Sequence, residues 1–406
     1  DARNAMISAD IAPKLATETG SKIVLMIMDG LGGFPNETGK TELETAHTPN
    51  LDTLAAEGAT GLIDTLGRGI PPGSGLAHLA LFGYDAFVHD IGRGAIAANG
   101  IGLTLKPNQV AARLNFCTQQ NGLITDRRAG RIPTEKCAEL CRVLNAKVSV
   151  PGVRIEAHPV MDYRAVVVFE GDGLSIEIAD THPGATGVPA KPVKATGAGA
   201  EKMVGVVEAF IAQAKEALAA LHPANMILLR GFAVQPDFPS MQACYKLKPA
   251  CIATYPDYRG VAKMIGMDIL KTGMEIAEEV DTLEQDWKSD HTFYFFHVKK
   301  TDSYGEDGNF DGRVHKIEEV DALIPRIMAL KPDVFAVTGD HSTPAVFKAH
   351  TWHPVPVLLW GKTVRRDSTT SFGERAAICG GMGRFEGSAL MLELLAHAGK
   401  LKKMGA

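Results

Sequence analysis

Three observations predict an α/β protein in two domains. Short, continuous apolar runs end in acidic or glycine residues, the pattern of buried parallel strands. Stretches with helical spacing alternate with those runs along the chain. At 406 residues, the chain is longer than one ordinary domain needs.

The elements follow in order. Lys22–Met28 reads as the first buried strand, stopped by Asp29 and Gly30. The stretch from Pro49 to Gly58 opens on Pro, closes on Gly and places Leu51, Leu54 and Ala55 on one side, as a helix does. Leu76–Phe82 is helical in spacing, and in Thr134–Leu144 the residues Cys137, Leu140, Cys141 and Leu144 share a helical face. Arg164–Phe169 and Met226–Leu229 read as strands, with the Ala-rich run Glu201–Leu221 between them as a helix. Phe293–Val298, Val334–Thr338 and Val355–Leu359 complete the strands. Residues 184–199, rich in Gly, Pro, Ala and Lys, read as a mobile loop. Acidic and histidine residues collect after strands near both ends of the chain. We therefore expect one domain from residues 1–85 and 245–406, interrupted by an inserted domain of residues 86–244.

Composition excludes several classes of function. Hydrophobic residues at 45% and charged residues at 22% are enough for a real core. Lys and Arg number 42 against 47 Asp and Glu, a net charge of −5, so a globally basic nucleic-acid binder is excluded. No apolar run approaches the roughly 18 residues of a membrane span, and the first ten residues lack the order of a signal peptide. The expectation is a cytoplasmic protein with no nucleic-acid or membrane partner; oligomeric state stays open. Six cysteines without a CxxC pair read as buried free thiols in a reducing compartment, not as a zinc knuckle.

The candidate chemistry lies at strand ends. Asp29 closes one buried strand, and Asp340 with His341 closes another. Asp302 and Glu306 follow a third at a spacing of four, which on a helix puts both carboxylates on one face. His350 lies nine residues past His341. Any one of these alone is a turn or a structural histidine; together they read as a metal site, of a kind that suits Mn or Zn better than Ca. His353, before a proline in an extended segment, is left out.

Ser74 sits between Gly73 and Gly75, just before a helical stretch. It is either a helix-capping serine or a nucleophile, and without a G-x-S-x-G pentapeptide a nucleophile here needs activation by a metal. Residues 126–132, DRRAGRI, crowd Arg127, Arg128 and Arg131 beside Asp126. Guanidinium forks match phosphate and carboxylate, so this is a local site for a small dianion or else a solvated loop. Arg93 and Arg113 precede it.

Taken together, these residues resemble the cofactor-independent phosphoglycerate mutases, in the shorter archaeal-type branch of the alkaline phosphatase superfamily. IVLMIMDGLGG, HTPNLDTLA, PPGSGLAHLALFGYD, GRGAIAANGIG, AARLNF, DRRAGRI, LLRG, HVKKTD, VTGDHSTP and HPVPVLLWG run in family order from about residue 22 to 362. The resemblance implies an alkaline phosphatase-like, mostly parallel sheet flanked by helices, with a second α/β domain inserted. It implies metal-dependent interconversion of 3-phosphoglycerate and 2-phosphoglycerate through a phosphoserine, in glycolysis and gluconeogenesis. The implied cofactors are two divalent metal ions (Mn, Zn, Co or Mg), with no bisphosphoglycerate. One metal falls to Asp29, Ser74, Asp340 and His341, the other to Asp302, Glu306 and His350. Ser74 is the implied nucleophile. Asp126, Arg127, Arg128 and Arg131 are implied to hold the substrate, a small phosphorylated hydroxy acid.

Two positions depart from the family pattern. Glu306 stands where the family's D-x-x-x-H motif has His, and Gly75 where relatives carry an acidic residue. The competing activities are a phosphomutase acting on another hydroxy-acid phosphate, such as homoserine phosphate, and a metal-dependent phosphohydrolase. From another class altogether, the chain is a silent phospho-ligand-binding protein.

Overall fold

The computed structural model describes residues 7–88 and 91–405. The chain divides into two compact units, one of residues 1–89 and 238–406 and one of residues 90–237. Residues 86–88 and 238–244, which the sequence reading gave to the insertion, therefore fall in the first unit. The reason for the second group is local: the helix Met241–Tyr245 buries Met241, Cys244 and Tyr245, and the Tyr245 hydroxyl donates to the Phe82 carbonyl at 2.8 Å.

The first unit is built on an eight-stranded sheet. Its order is Gly383–Glu386, Ala59–Asp64, Val355–Gly361, Val334–Thr338, Ile23–Met28, Phe293–Val298, Pro249–Ile252 and Asp268–Ile269. Only Val355–Gly361 pairs antiparallel with its neighbours; the other strands all run one way. The fold is α/β with a mostly parallel sheet. Parallel strands joined by helical crossovers are covered on both faces, so they read as unbroken apolar runs. Ile23–Met28 is such a run, buried at all six positions. Its side chains Val24, Met26 and Met28 pack into a core with Ile317, Val320 and Ile324 of the helix Phe310–Ala329.

Register carries the site. Met28 pairs with Val298 and Ile27 with Thr338, so the three central strands end level with one another. The residues that follow them, Asp29, Lys299 and Asp340, therefore emerge at one edge of the sheet. Gly339 is needed for that approach, because a Cβ there would lie 2.9 Å from both the Met28 carbonyl and the Leu31 nitrogen.

The second unit carries a five-stranded, wholly antiparallel sheet: Gln109–Gln120, Leu123–Asp126, Arg154–Met161, Arg164–Glu170 and Met226–Ala233. Two helices, Thr134–Lys147 and Glu201–Leu218, cover one face. Alternation along the strands decides which residues face them. Ala112, Leu114 and Phe116 go into that core, which leaves Arg113 and Asn115 on the opposite face. Residues 184–199 form no named helix or strand, yet they are tied down. Val188 accepts from the Ile124 amide at 2.8 Å, and the Lys191 amide donates to the Thr181 carbonyl at 2.9 Å. No helix among the described residues is long and apolar enough to cross a membrane.

Candidate active site

The first unit gathers its acidic and histidine residues into two groups that share His341: Asp29, Asp340 and His341, and Asp302, His341 and His350. His341 Nε2 lies 3.3 Å from Asp29 Oδ1, 3.2 Å from Asp340 Oδ2 and 3.1 Å from Ser74 Oγ. Its ring stacks on that of His350 at 3.6 Å. Glu306 closes the helix Lys300–Glu306 with Asp302 one turn before it, as the spacing predicts. Its carboxylate stays half exposed at the rim, 4.0 Å from His350 Nε2. It joins neither group as closely as its companions do.

The hydrogen bonds fix which imidazole nitrogen is free. Thr343 Oγ1 donates to Asp302 Oδ1 at 3.0 Å, so it accepts from His341 Nδ1 at 2.8 Å. That leaves Nε2 of His341 as the nitrogen that faces Ser74 and the two aspartates, the one that carries either a proton or a cation. His350 repeats the arrangement. Its Nδ1 donates to the Pro72 carbonyl at 2.8 Å, and Nε2 faces Asp302 Oδ1 at 3.5 Å.

These residues suit a divalent cation. Asp29 Oδ1 and Asp340 Oδ2 are fully buried and have no hydrogen-bond donor among the described residues. A buried carboxylate oxygen without a donor is costly unless a cation meets it. The local electrostatics agree. Against burial, Asp340 and Asp29 push His341 up to about 10. Against burial again, His341 and His78 hold Asp340, and His350 and Lys299 hold Asp302, well below the usual carboxylate range. Negative charge is retained in a dry place and draws positive charge to Nε2.

Ser74 is the first residue of the helix Ser74–Leu81, whose cap position is Gly73. The cap position belongs to Gly73, and the Ser74 hydroxyl bonds His341 Nε2 instead, so the capping alternative does not hold. Its hydroxyl sits at the positive end of the helix dipole and turns toward His341. One turn on, the fully buried His78 donates Nδ1–H to the Ser74 carbonyl at 2.7 Å and lies 3.5 Å from Asp340 Oδ2.

In the second unit, the DRRAGRI segment is a tight turn. Asp126 accepts from the Arg128 amide at 2.8 Å and the Gly130 amide at 2.6 Å, so its carboxylate shapes the backbone. Arg127 donates to the Gly184 carbonyl at 2.6 Å, while Arg128 and Arg131 are exposed. A second concentration of charge lies on the face of the sheet opposite Thr134–Lys147 and Glu201–Leu218. There Arg113 pairs in register with Arg230, next to the buried, unpartnered Oδ1 of Asn115. Burial, then the charges of Arg93 and Arg113, lower the pKa of Arg230.

Curated relatives similar to this chain over nearly its whole length carry one description. A probable 2,3-bisphosphoglycerate-independent phosphoglycerate mutase of Thermotoga maritima is 45% identical over 398 residues, covering 98% of this chain and 99% of its own. One from Thermus thermophilus is 46% identical over 402 residues, with the same coverage. The chain belongs to the 2,3-bisphosphoglycerate-independent phosphoglycerate mutases. The model of that family matches residues 55–225. A solved protein of Pyrococcus horikoshii has a TM-score of 0.82 at 29% identity, covering 95% of this chain and 99% of its own. The cofactor-independent phosphoglycerate mutase of Thermoplasma acidophilum has a TM-score of 0.68 at 27% identity, covering 93% and 100%.

Within this mutase chain, several residues of the two units described above carry little readable signal in sequence. Lys299 bridges Asp29 Oδ2 and Asp302 Oδ2, at 2.7 Å from each. Its position directly after a strand in HVKKTD was the one clue. Thr343, which sets the His341 tautomer, lies in VTGDHSTP and is otherwise an ordinary threonine. Arg230 lies in LLRG, and only strand pairing puts it beside Arg113. Tyr258, whose hydroxyl donates to Asp29 Oδ2, comes from the distant segment YPDYRG and had no local signal at all.

Proposed function

We propose that this chain interconverts 3-phosphoglycerate and 2-phosphoglycerate by way of a phosphoserine at Ser74. The observation that carries the reading is the convergence of Ser74 Oγ, Asp29 Oδ1 and Asp340 Oδ2 on His341 Nε2, all within 3.3 Å of it. A serine hydroxyl is a weak nucleophile unless something lowers its pKa. Asp29, Ser74, Asp340 and His341 would hold one divalent cation (Mn, Zn, Co or Mg), and Asp302, His350 and the rim residue Glu306 a second; bound there, such cations would supply Lewis acidity and neutralise charge on the transferring oxygens.

The chain's own residues do the rest. Ser74 Oγ attacks the substrate phosphorus in line, forming the Ser–O–P bond as the bond from phosphorus to the glycerate oxygen breaks, and the serine proton ends on that departing oxygen as a hydroxyl. The helix N-terminus at Ser74 favours the anionic group. Lys299, donating to one oxygen of each of two aspartates, balances charge between the clusters. The glycerate then takes the phosphoryl group back on its other hydroxyl, which requires water to be kept from the phosphoserine. Arg127, Arg128 and Arg131, in the turn shaped by Asp126, and the Arg113–Arg230 pair serve anion recognition. On this reading the chain works in glycolysis and gluconeogenesis in the cytoplasm. Six free cysteines, five of them buried, support a reducing compartment.

The test is direct. Protein supplied with Mn²⁺ and 3-phosphoglycerate, without bisphosphoglycerate, is expected to yield 2-phosphoglycerate. Steady release of inorganic phosphate with no 2-phosphoglycerate would make it a phosphohydrolase.

A further inference from the structure

The two oxygens of Asp29 are in different situations. Oδ2 accepts from the Tyr258 hydroxyl and from Lys299 Nζ at 2.7 Å, with His297 Nε2 at 3.8 Å. Oδ1 has no donor and faces His341 Nε2. The carboxylate is held by one oxygen and presents the other.

Tyr258 comes from the helix Pro256–Met264, an element that supplies none of the candidate ligands. It is a buried residue whose ring stacks on His297, with centroids 3.8 Å apart and planes at 29°, and lies 4.8 Å from the His78 ring. His297 and His78 are fully buried as well, so aromatic packing fixes the direction of the hydroxyl. A phenol held this rigidly fixes the rotation of the carboxylate it donates to. Lys299 is a poorer candidate for that task. It is shared with Asp302, stands on a flexible stem, and carries a positive charge that any cation beside Asp29 repels. The phenol is neutral and suffers no such repulsion.

We propose that Tyr258 is a positioning residue for Asp29: its hydroxyl holds Oδ2 so that Oδ1 meets a divalent cation beside Asp340, His341 and Ser74. The inference rests on the reading of two cation sites made above. Removing an outer partner of a metal ligand typically weakens metal affinity by about 10–100-fold. Tyr258→Phe deletes the hydroxyl and keeps the ring, so the packing against His297 survives.

Mn²⁺ alone, titrated against a competing chelator, reads the effect without any substrate. Wild type should bind two Mn²⁺ per chain. Tyr258→Phe should keep one at unchanged affinity and lose about 10–100-fold at the other. The melting temperature of the metal-free variant should match that of metal-free wild type. In a His350→Gln background, which disables the other site, the same change should fall on the single remaining Mn²⁺. Two Mn²⁺ bound to Tyr258→Phe at wild-type affinity overturn the proposal. So does equal weakening of both sites with a lowered metal-free melting temperature, which marks a purely structural role. Wild type that binds no Mn²⁺ overturns the cation reading itself, and this inference with it.

Discussion

Arg313 Nη1 lies 2.9 Å from Glu42 Oε1, with both side chains fully buried. Around this pair hang the loops that carry the site. Arg313 also donates to the carbonyls of Gly30, Gly32 and Thr301, and Glu42 Oε1 accepts from the Ala345 amide at 2.8 Å. Asp29, Asp302 and the segment after His341 are thus tied to one ion pair.

Breaking this pair from one side leaves a buried charge without its partner. Arg313→Met should destabilise the fold by about 3–5 kcal/mol. Arg313→Met combined with Glu42→Leu should recover part of that loss, because the second change removes the stranded carboxylate. Urea unfolding of the two single variants and the double variant measures the coupling directly. Additive losses would show that the pair does not act as a unit.

Ser74→Ala should abolish phosphoryl transfer and leave the melting temperature unchanged, since Gly73 and not Ser74 occupies the cap position of the helix. Intact-mass measurement of rapidly quenched wild type should find a phosphorylated fraction that the variant lacks. A variant with near-normal mutase rate removes Ser74 from the chemistry.

Glu306 is expected to be a weak contributor, given its exposed position 4.0 Å from His350. Glu306→Ala should weaken one of two cations by about tenfold, roughly 1.4 kcal/mol, and added metal should restore activity. Glu306→His should retain two cations and move preference toward Zn or Co, away from Mn. Metal analysis after dialysis distinguishes the two outcomes.

Arg128→Ala and Arg131→Ala should each weaken 3-phosphoglycerate binding by about 1.5–3 kcal/mol, the range for hydrogen bonds to charged groups. Bound metal should not change. Calorimetric titration that shows unchanged affinity in both variants returns these exposed arginines to the role of a solvated loop.

Glu279 gives the fold a pH dependence remote from the site. Burial, with the charge of Glu275 beside it, pushes its carboxyl from an ordinary 4.5 up to about 9. The folded state therefore holds a proton that the unfolded state releases. This contribution to stability is complete below about pH 4.5 and is lost progressively as pH rises through about 9. Glu279→Gln should flatten that decline, with a gain on the order of a few kcal/mol at pH 9. Parallel unfolding curves at pH 6 and pH 9 that show the same difference between variant and wild type would locate the effect elsewhere.

The sequence by itself determined the elements whose signal is local. Phe293–Val298 and Val334–Thr338 are strands with the bounds that their apolar runs predict, because strands covered on both faces admit few polar residues. Asp29, Ser74, Asp340 and His341 were legible for the same reason: each sits where a strand or turn ends, and the order of motifs identified the family. Side-chain pairing was not legible. Lys299 meets Asp29 across 270 positions and Tyr258 meets it across 229, and nothing near either residue announces the contact. Glu306 has the spacing of a ligand, yet its side chain stays half in solvent, where the end of its helix leaves it. The two faces of the second unit's sheet were hidden likewise, since Arg113 and Arg230 become neighbours only when two strands pair. Local pattern sets which segments form strands and helices. Register between parallel strands, joined by long crossovers, sets which of their end residues meet, and that is decided only when the whole sheet assembles.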